Sequence, residues 1–168
     1  MLQLPPLTPS GALFSSDNTY RYLLWRVWQP DAPRLLFVGL NPATADAHHN
    51  DPTIKRCLQF AQTWGYGTLL VANLFAYRTP HPSHLLTLTP PSAAIGPDND
   101  NWLHTLPPHV DFILLGWGNH GPHLGRAATI LPLLPNPHCL KINKTGQPTH
   151  PLYQPQNAQP FPYLPPST

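Results

Sequence analysis

The run Leu35-Leu36-Phe37-Val38-Gly39-Leu40 constrains this chain more than any other stretch of it. It is unbroken by polar residues, so no face is reserved for water, and it is far too short to cross a bilayer. A strand of this kind is buried on both sides, which requires a sheet covered on both faces. Thr68 to Phe75 and Val110 to Trp117 repeat the pattern, and His138 to Ile142 gives a shorter version.

The stretch between the first two runs reads as a helix. Asp51 is an N-cap, Pro52 occupies the first helical position and Gly65 follows the last turn. Ile54, Cys57, Leu58, Ala61 and Trp64 recur at three- and four-residue steps and form one apolar stripe. Pro97 opens a shorter helix through Trp102 and Leu106, and another covers Leu124 to Leu134 until Pro132 interrupts it. Alternating strands and helices predict a three-layer α/β fold with a mostly parallel four-stranded sheet. Tyr20 to Trp28 is a further aromatic, β-branched strand. Arg21 and Arg26 fall on opposite phases of it, which suggests an edge position.

Composition then sets the limits. Of 168 residues, 41% are apolar and only 10% charged, and the apolar residues sit in discrete runs, so the chain is built to fold. Of the 25 prolines, seven lie in residues 1–18 and 156–168, read as an extended N-terminal segment and a Pro-rich C-terminal tail, and many others mark the connections. Residues 19–155 form the single expected domain. A net charge of +2, with no basic run longer than two, gives no strong nucleic-acid footprint. No apolar stretch is long enough to span a membrane, and no secretory leader is visible, so no membrane partner is expected. Two cysteines outside any CxxC pair fit a reducing cytoplasm. Oligomeric state leaves no mark in the sequence.

In a parallel sheet the ligand site lies beyond the carboxyl ends of the strands. Four strand-end loops carry unusual polar content: Asn41-Pro42, Asn73, Gly118-Asn119-His120 and the approach to His150-Pro151. Pro42 rigidifies its turn, so the Asn41 carboxamide either positions water or substrate, or tidies the turn through backbone bonds. Asp46, in the same loop, is a candidate general base on such a water, or a local cap. Asn73 interrupts an apolar strand; its amide either reads the edge of a nucleobase or bonds a neighbouring loop. A neutral His150 can donate to a developing oxyanion, with Tyr153 close by.

Asp46, His48, His49 and Asp51 have metal-ligand side chains, but their spacing matches no compact zinc signature, and no metal is expected. Gly116-Trp117-Gly118-Asn119-His120-Gly121 has the literal spacing GxGxxG. Pro122 and the bulky Trp117 are poor for wrapping a pyrophosphate, and no Asp or Glu follows Asp111, so no cofactor is read here.

Several stretches together resemble one family. They include Tyr20-Arg21-Tyr22-Leu23-Leu24-Trp25-Arg26, Gly39 to Asp46, Asp51-Pro52-Thr53-Ile54, Trp64-Gly65-Tyr66-Gly67, Asn73-Leu74-Phe75, Gly146-Gln147-Pro148 and His150-Pro151-Leu152-Tyr153. They resemble the uncharacterised bacterial proteins of domain-of-unknown-function family 1643 over roughly residues 20 to 155. The order Gly39-x-Asn41-Pro42, Asn73, Leu115-Gly116-Trp117-Gly118, His150-Pro151 more loosely resembles the uracil-DNA glycosylase superfamily. That likeness implies a glycosylase-like fold, with Asn41 holding the attacking water, Asn73 reading the base and His150 steadying the leaving base. Leu152-Tyr153 stands where glycosylases carry a Ser-containing loop, and the aromatic wall behind the first motif has no counterpart.

The leading expectation is therefore a hydrolase acting on a nucleobase or nucleic acid at an N-glycosidic bond. The rival is a non-catalytic binding module on the same fold. A scaffold that recruits partners through its Pro-rich ends has the least support.

Overall fold

The computed structural model describes residues 2–165. Ten principal elements follow one another along the chain: β1 (Ser10–Phe14), β2 (Arg21–Val27), β3 (Arg34–Gly39), α1 (Pro52–Thr63), β4 (Thr68–Asn73), α2 (Asn99–Thr105), β5 (Phe112–Leu115), α3 (Arg126–Ile130), β6 (His138–Cys139) and β7 (Phe161–Pro162). Short 3-10 turns fill the connections, among them Pro82–Thr87, Pro91–Ala94 and Pro151–Tyr153.

The strands form one sheet in the order β1-β2-β4-β3-β5-β6-β7. The expected mostly parallel, four-stranded sheet is thereby corrected to a mixed, seven-stranded one. β4, β3, β5 and β6 pair in parallel, while β1–β2, β2–β4 and β6–β7 are antiparallel. Strand β2 is not at an edge. It lies between β1 and β4, and Arg21 and Arg26 are both buried, Arg21 donating to Ala45 O and Arg26 to Asp46 O in the loop beside the strand.

Both faces of the sheet are covered, as the apolar runs require. Leu35, Phe37, Leu69, Val71 and Leu114 pack under α1 through Ile54, Cys57, Phe60 and Ala61. Leu36, Val38, Leu70, Ala72, Ile113 and Leu115 face the other way, against Leu103 and Leu106 near α2 and Ala127 and Ile130 of α3. Helix α1 keeps its expected punctuation: the Asp51 carboxylate accepts the Ile54 N–H at 2.9 Å, and Gly65 takes a positive φ of 86°. The helix expected over Leu124 to Leu134 shrinks to α3, followed by a 3-10 turn at Leu131–Leu133, because Pro132 ends it.

The proline-rich ends are less detached than their composition suggests. β1 comes from the N-terminal segment and β7 from the C-terminal one, and Tyr163 is buried with its hydroxyl donating to Gly146 O at 2.7 Å. Pro166 and the last two residues of the tail lie outside the described residues, as does Met1.

Candidate functional site

Because β3, β4 and β5 run in parallel, their carboxyl ends share one rim, and the chain leaving each end turns polar there. At that rim lies a cavity of about 630 Å³, within the size range of small-molecule sites. Asn41, Pro42, Asn73, Asn119, His120, His150 and Tyr153 all line it. Asp46 does not.

The first wall is built from the end of β3. The ladder continues past the strands, with Leu74 N–H donating to Gly39 O and Phe75 N–H to Leu40 O, both at 2.9 Å. Asn41 then uses its amide nitrogen to stitch the turn: Nδ2 donates to Pro42 O at 3.0 Å and Thr79 O at 2.9 Å. Its Oδ1 has no partner among the described residues. The Asn41 side chain thus fixes the loop through one end and leaves an acceptor at the other.

Asn73 closes β4, directly across from Gly39 in the register. Its side chain is 4% exposed, lines the cavity and makes no hydrogen bond among the described residues. Gly39 makes room for it, since a Cβ there would stand 2.9 Å from Asn73 Oδ1. The Asn73 backbone carbonyl is independently satisfied by Asn99 Nδ2 at 2.9 Å. The loop-bonding alternative therefore finds no bond in support of it.

The opposite wall comes from the last loop. The Trp117 indole N–H donates to Gln147 Oε1 at 2.8 Å, and Gly118 N–H to Pro148 O at 2.9 Å, drawing residues 147–150 over the end of β5. Gly116 permits the approach, because a Cβ there would lie 2.8 Å from Pro151 Cδ. His150 caps the following turn, its Nδ1 accepting the Leu152 N–H at 3.2 Å. That bond fixes the tautomer, so the ring proton sits on Nε2 as a donor. Burial lowers the His150 pKa, opposed by the charge of Asp51, which favours the neutral ring near pH 7.

Asn119, His120 and Tyr153 are rim residues. Asn119 Oδ1 accepts from Asn143 Nδ2 at 2.9 Å and Thr145 Oγ1 at 2.7 Å, and Tyr153 is 81% exposed. Asp46 is turned to local capping: Oδ1 accepts the N–H of His48 at 2.9 Å and of His49 at 2.8 Å. Those bonds, with the His49 ring, lower its pKa to about 2, so it is a poor proton acceptor as well as a distant one. Among the described residues, no three His, Cys, Asp or Glu side chains gather as a metal centre. None of the helices there is long and apolar enough to cross a membrane.

Two charged lining residues, Asp51 and Arg21, have no site role in the sequence reading, where Asp51 is a helix cap and Arg21 a break in strand alternation. For Arg21 the available signal was a cation at the head of a strand that, Arg26 apart, is aromatic and aliphatic.

The fold and cavity define an α/β protein with a ligand-sized pocket at the carboxyl rim of its parallel strands. A family model described as Protein of unknown function (DUF1643) matches residues 21–152, and the chain belongs to that family. No curated protein matches, and no solved structure does.

Proposed function

We propose that the cavity receives a nucleobase-bearing ligand and that the protein hydrolyses its N-glycosidic bond. The observation that carries this reading is Asn73: a residue 4% exposed at a strand end, lining a cavity, whose carboxamide has no partner among the described residues and is not sealed off from that cavity. Its free donor and acceptor match a ligand offering an acceptor beside a donor, each such hydrogen bond contributing about 0.5–1.5 kcal/mol. The edge of a nucleobase offers that pattern.

The remaining groups fit around a base so held. His150 Nε2–H is a neutral donor suited to a carbonyl oxygen that gains charge as the base departs. Asn41 Oδ1 is free to accept from a water and orient it. In the reaction the water oxygen bonds to the sugar C1′, the C1′–N bond breaks with its electron pair leaving on the base, and the water's proton passes to solvent or base. The likeness in motif order to uracil-DNA glycosylases supports the same assignment. Asp46 has no part in it.

The second reading, a binder without turnover, is favoured by one feature: Asp46 lies outside the cavity, and both oxygens of the lining carboxylate Asp51 accept backbone N–H groups. One experiment tests both readings. Thermal unfolding is followed with a panel of nucleobases and nucleosides, and base release is assayed from nucleosides and damaged or mismatched oligonucleotides. Release that disappears in folded Asn41→Ala and His150→Ala proteins supports the hydrolase; stabilisation without release supports the binder. Neither effect across the panel removes the nucleobase reading.

A further inference from the structure

The structure holds three buried arginines, and their hydrogen bonding is unequal. Arg26 donates from Nε, Nη1 and Nη2 to Asn50 Oδ1, Trp25 O and Asp46 O at 2.9, 2.8 and 2.6 Å. Arg126 donates twice to Leu74 O and once to Asp100 Oδ1, at 2.8–3.0 and 2.6 Å. Arg21, only 2% exposed, makes a single bond, from Nη1 to Ala45 O at 3.1 Å. Its Nε is buried without a partner, and Nη2 has none among the described residues. It forms no ion pair with a carboxylate among those residues.

A guanidinium carries five N–H donors, and a buried cation lacking a counter-charge is costly to keep. Burial lowers the Arg21 pKa to about 10, opposed by the charge of Asp51, so the group stays charged near neutral pH. It also lines the cavity, and it is the one Lys or Arg in that lining. The first turn of α1 reaches the same space through Thr53 and Ile54, bringing the positive end of a 12-residue helix. The local carboxylate, Asp51, leaves Arg21 without a direct partner: Oδ1 takes the Ile54 N–H at 2.9 Å and Oδ2 the Ala45 N–H at 3.4 Å. Spare planar donors beside a helix start suit a phosphate or carboxylate held by two parallel bonds.

Building on the nucleobase reading of the same cavity, we propose that Arg21 binds an anionic group of the ligand. The cavity then takes a nucleoside monophosphate in preference to a neutral nucleoside or free base. Asn73 and His150 hold the base while Arg21 holds the phosphate.

The test is calorimetric titration of the full chain with matched pairs of nucleosides and their 5′-monophosphates, using wild type, Arg21→Met and Arg21→Lys. A charged hydrogen-bonded contact predicts that the monophosphate binds wild type roughly tenfold or more tighter than its nucleoside. That ratio falls toward one in Arg21→Met and is partly kept in Arg21→Lys. Inorganic phosphate weakens nucleotide binding to wild type and leaves nucleoside binding unchanged, a readout that stands even where Arg21→Met fails to fold.

A wild-type ratio near one overturns the anion site and leaves the nucleobase reading intact. A full ratio surviving in folded Arg21→Met also overturns it. Stabilisation of wild type, but not Arg21→Met, by inorganic phosphate or ribose 5-phosphate, with no response to any nucleoside or nucleotide, upholds Arg21 as an anion site and overturns the nucleobase reading. No response to any of these probes overturns both.

Discussion

Gly39 and Asn73 face each other across β3 and β4, and the space one lacks is the space the other fills. An amide placed there without a protein partner contributes little to folding, so Asn73→Leu is expected to change unfolding free energy in urea by no more than about 1 kcal/mol. The same substitution removes stabilisation by nucleosides. A loss of several kcal/mol would instead reveal a structural bond at that position. His150 gives a pH prediction. Burial lowers its pKa, so the folded chain binds fewer protons than the unfolded chain between the folded value and the ordinary one near 6.5. The His150 contribution is therefore complete above about pH 6.5 and is lost as pH falls through the lowered value. Unfolding measured at pH 7.5, 6 and 5 in wild type and His150→Gln isolates it: the difference between them shrinks on acidification. Arg21 was illegible at this scale for a physical reason. An arginine in a strand reads first as a mark of an exposed edge, and only the placement of the 45–50 loop against β2 shows that Arg21 and Arg26 are buried.

Helix α1 and the loop before it show how the elements hold the site in place. Arg26 gathers the loop through Asn50 Oδ1, Asp46 O and His49 O, and Asp51 then starts the helix. Arg26→Met leaves those carbonyls unpaired beside β2, at a cost of roughly 2–4 kcal/mol in urea unfolding. Ligand affinity falls with it, because residues 51–54 lose their anchor; an unchanged affinity would show that the loop positions nothing. Strands β3, β4 and β5 and helix α1 were legible because long apolar runs and a capped helix carry their own signals, whereas β6 shrinks from the expected His138 to Ile142 to two residues. β1 and β7 were not legible. They are short, lie among prolines, and become strands only because β2 and β6 offer unpaired edges. The same missing neighbour explains why β2 itself read as an edge.

Across the whole molecule, the family match ends at residue 152, yet the chain beyond it packs back onto the sheet. Tyr163 is 3% exposed, donates to Gly146 O and thereby braces the turn leading to His150. Removing residues 156–168 is expected to lower stability by about 3 kcal/mol or more, as for loss of a buried aromatic, and to weaken nucleoside binding; thermal and urea unfolding measure the first, calorimetry the second. The convergence of distant loops on one rim was the most legible part of the site, since parallel strands return each crossover to the same end. Which side chains keep free hydrogen-bonding groups was not legible, because that depends on pairings between segments some 20 to 100 residues apart, such as Asn41 with Thr79 and Trp117 with Gln147. The most direct test of the central claim follows the side-chain amide resonances of Asn73 by NMR while nucleosides are titrated, with Asn73→Leu identifying the signals. The account predicts saturable shifts at Asn73, with Asn41 and the His150 ring responding alongside. Shifts confined to other surfaces, or none at Asn73 with any nucleoside, would contradict it.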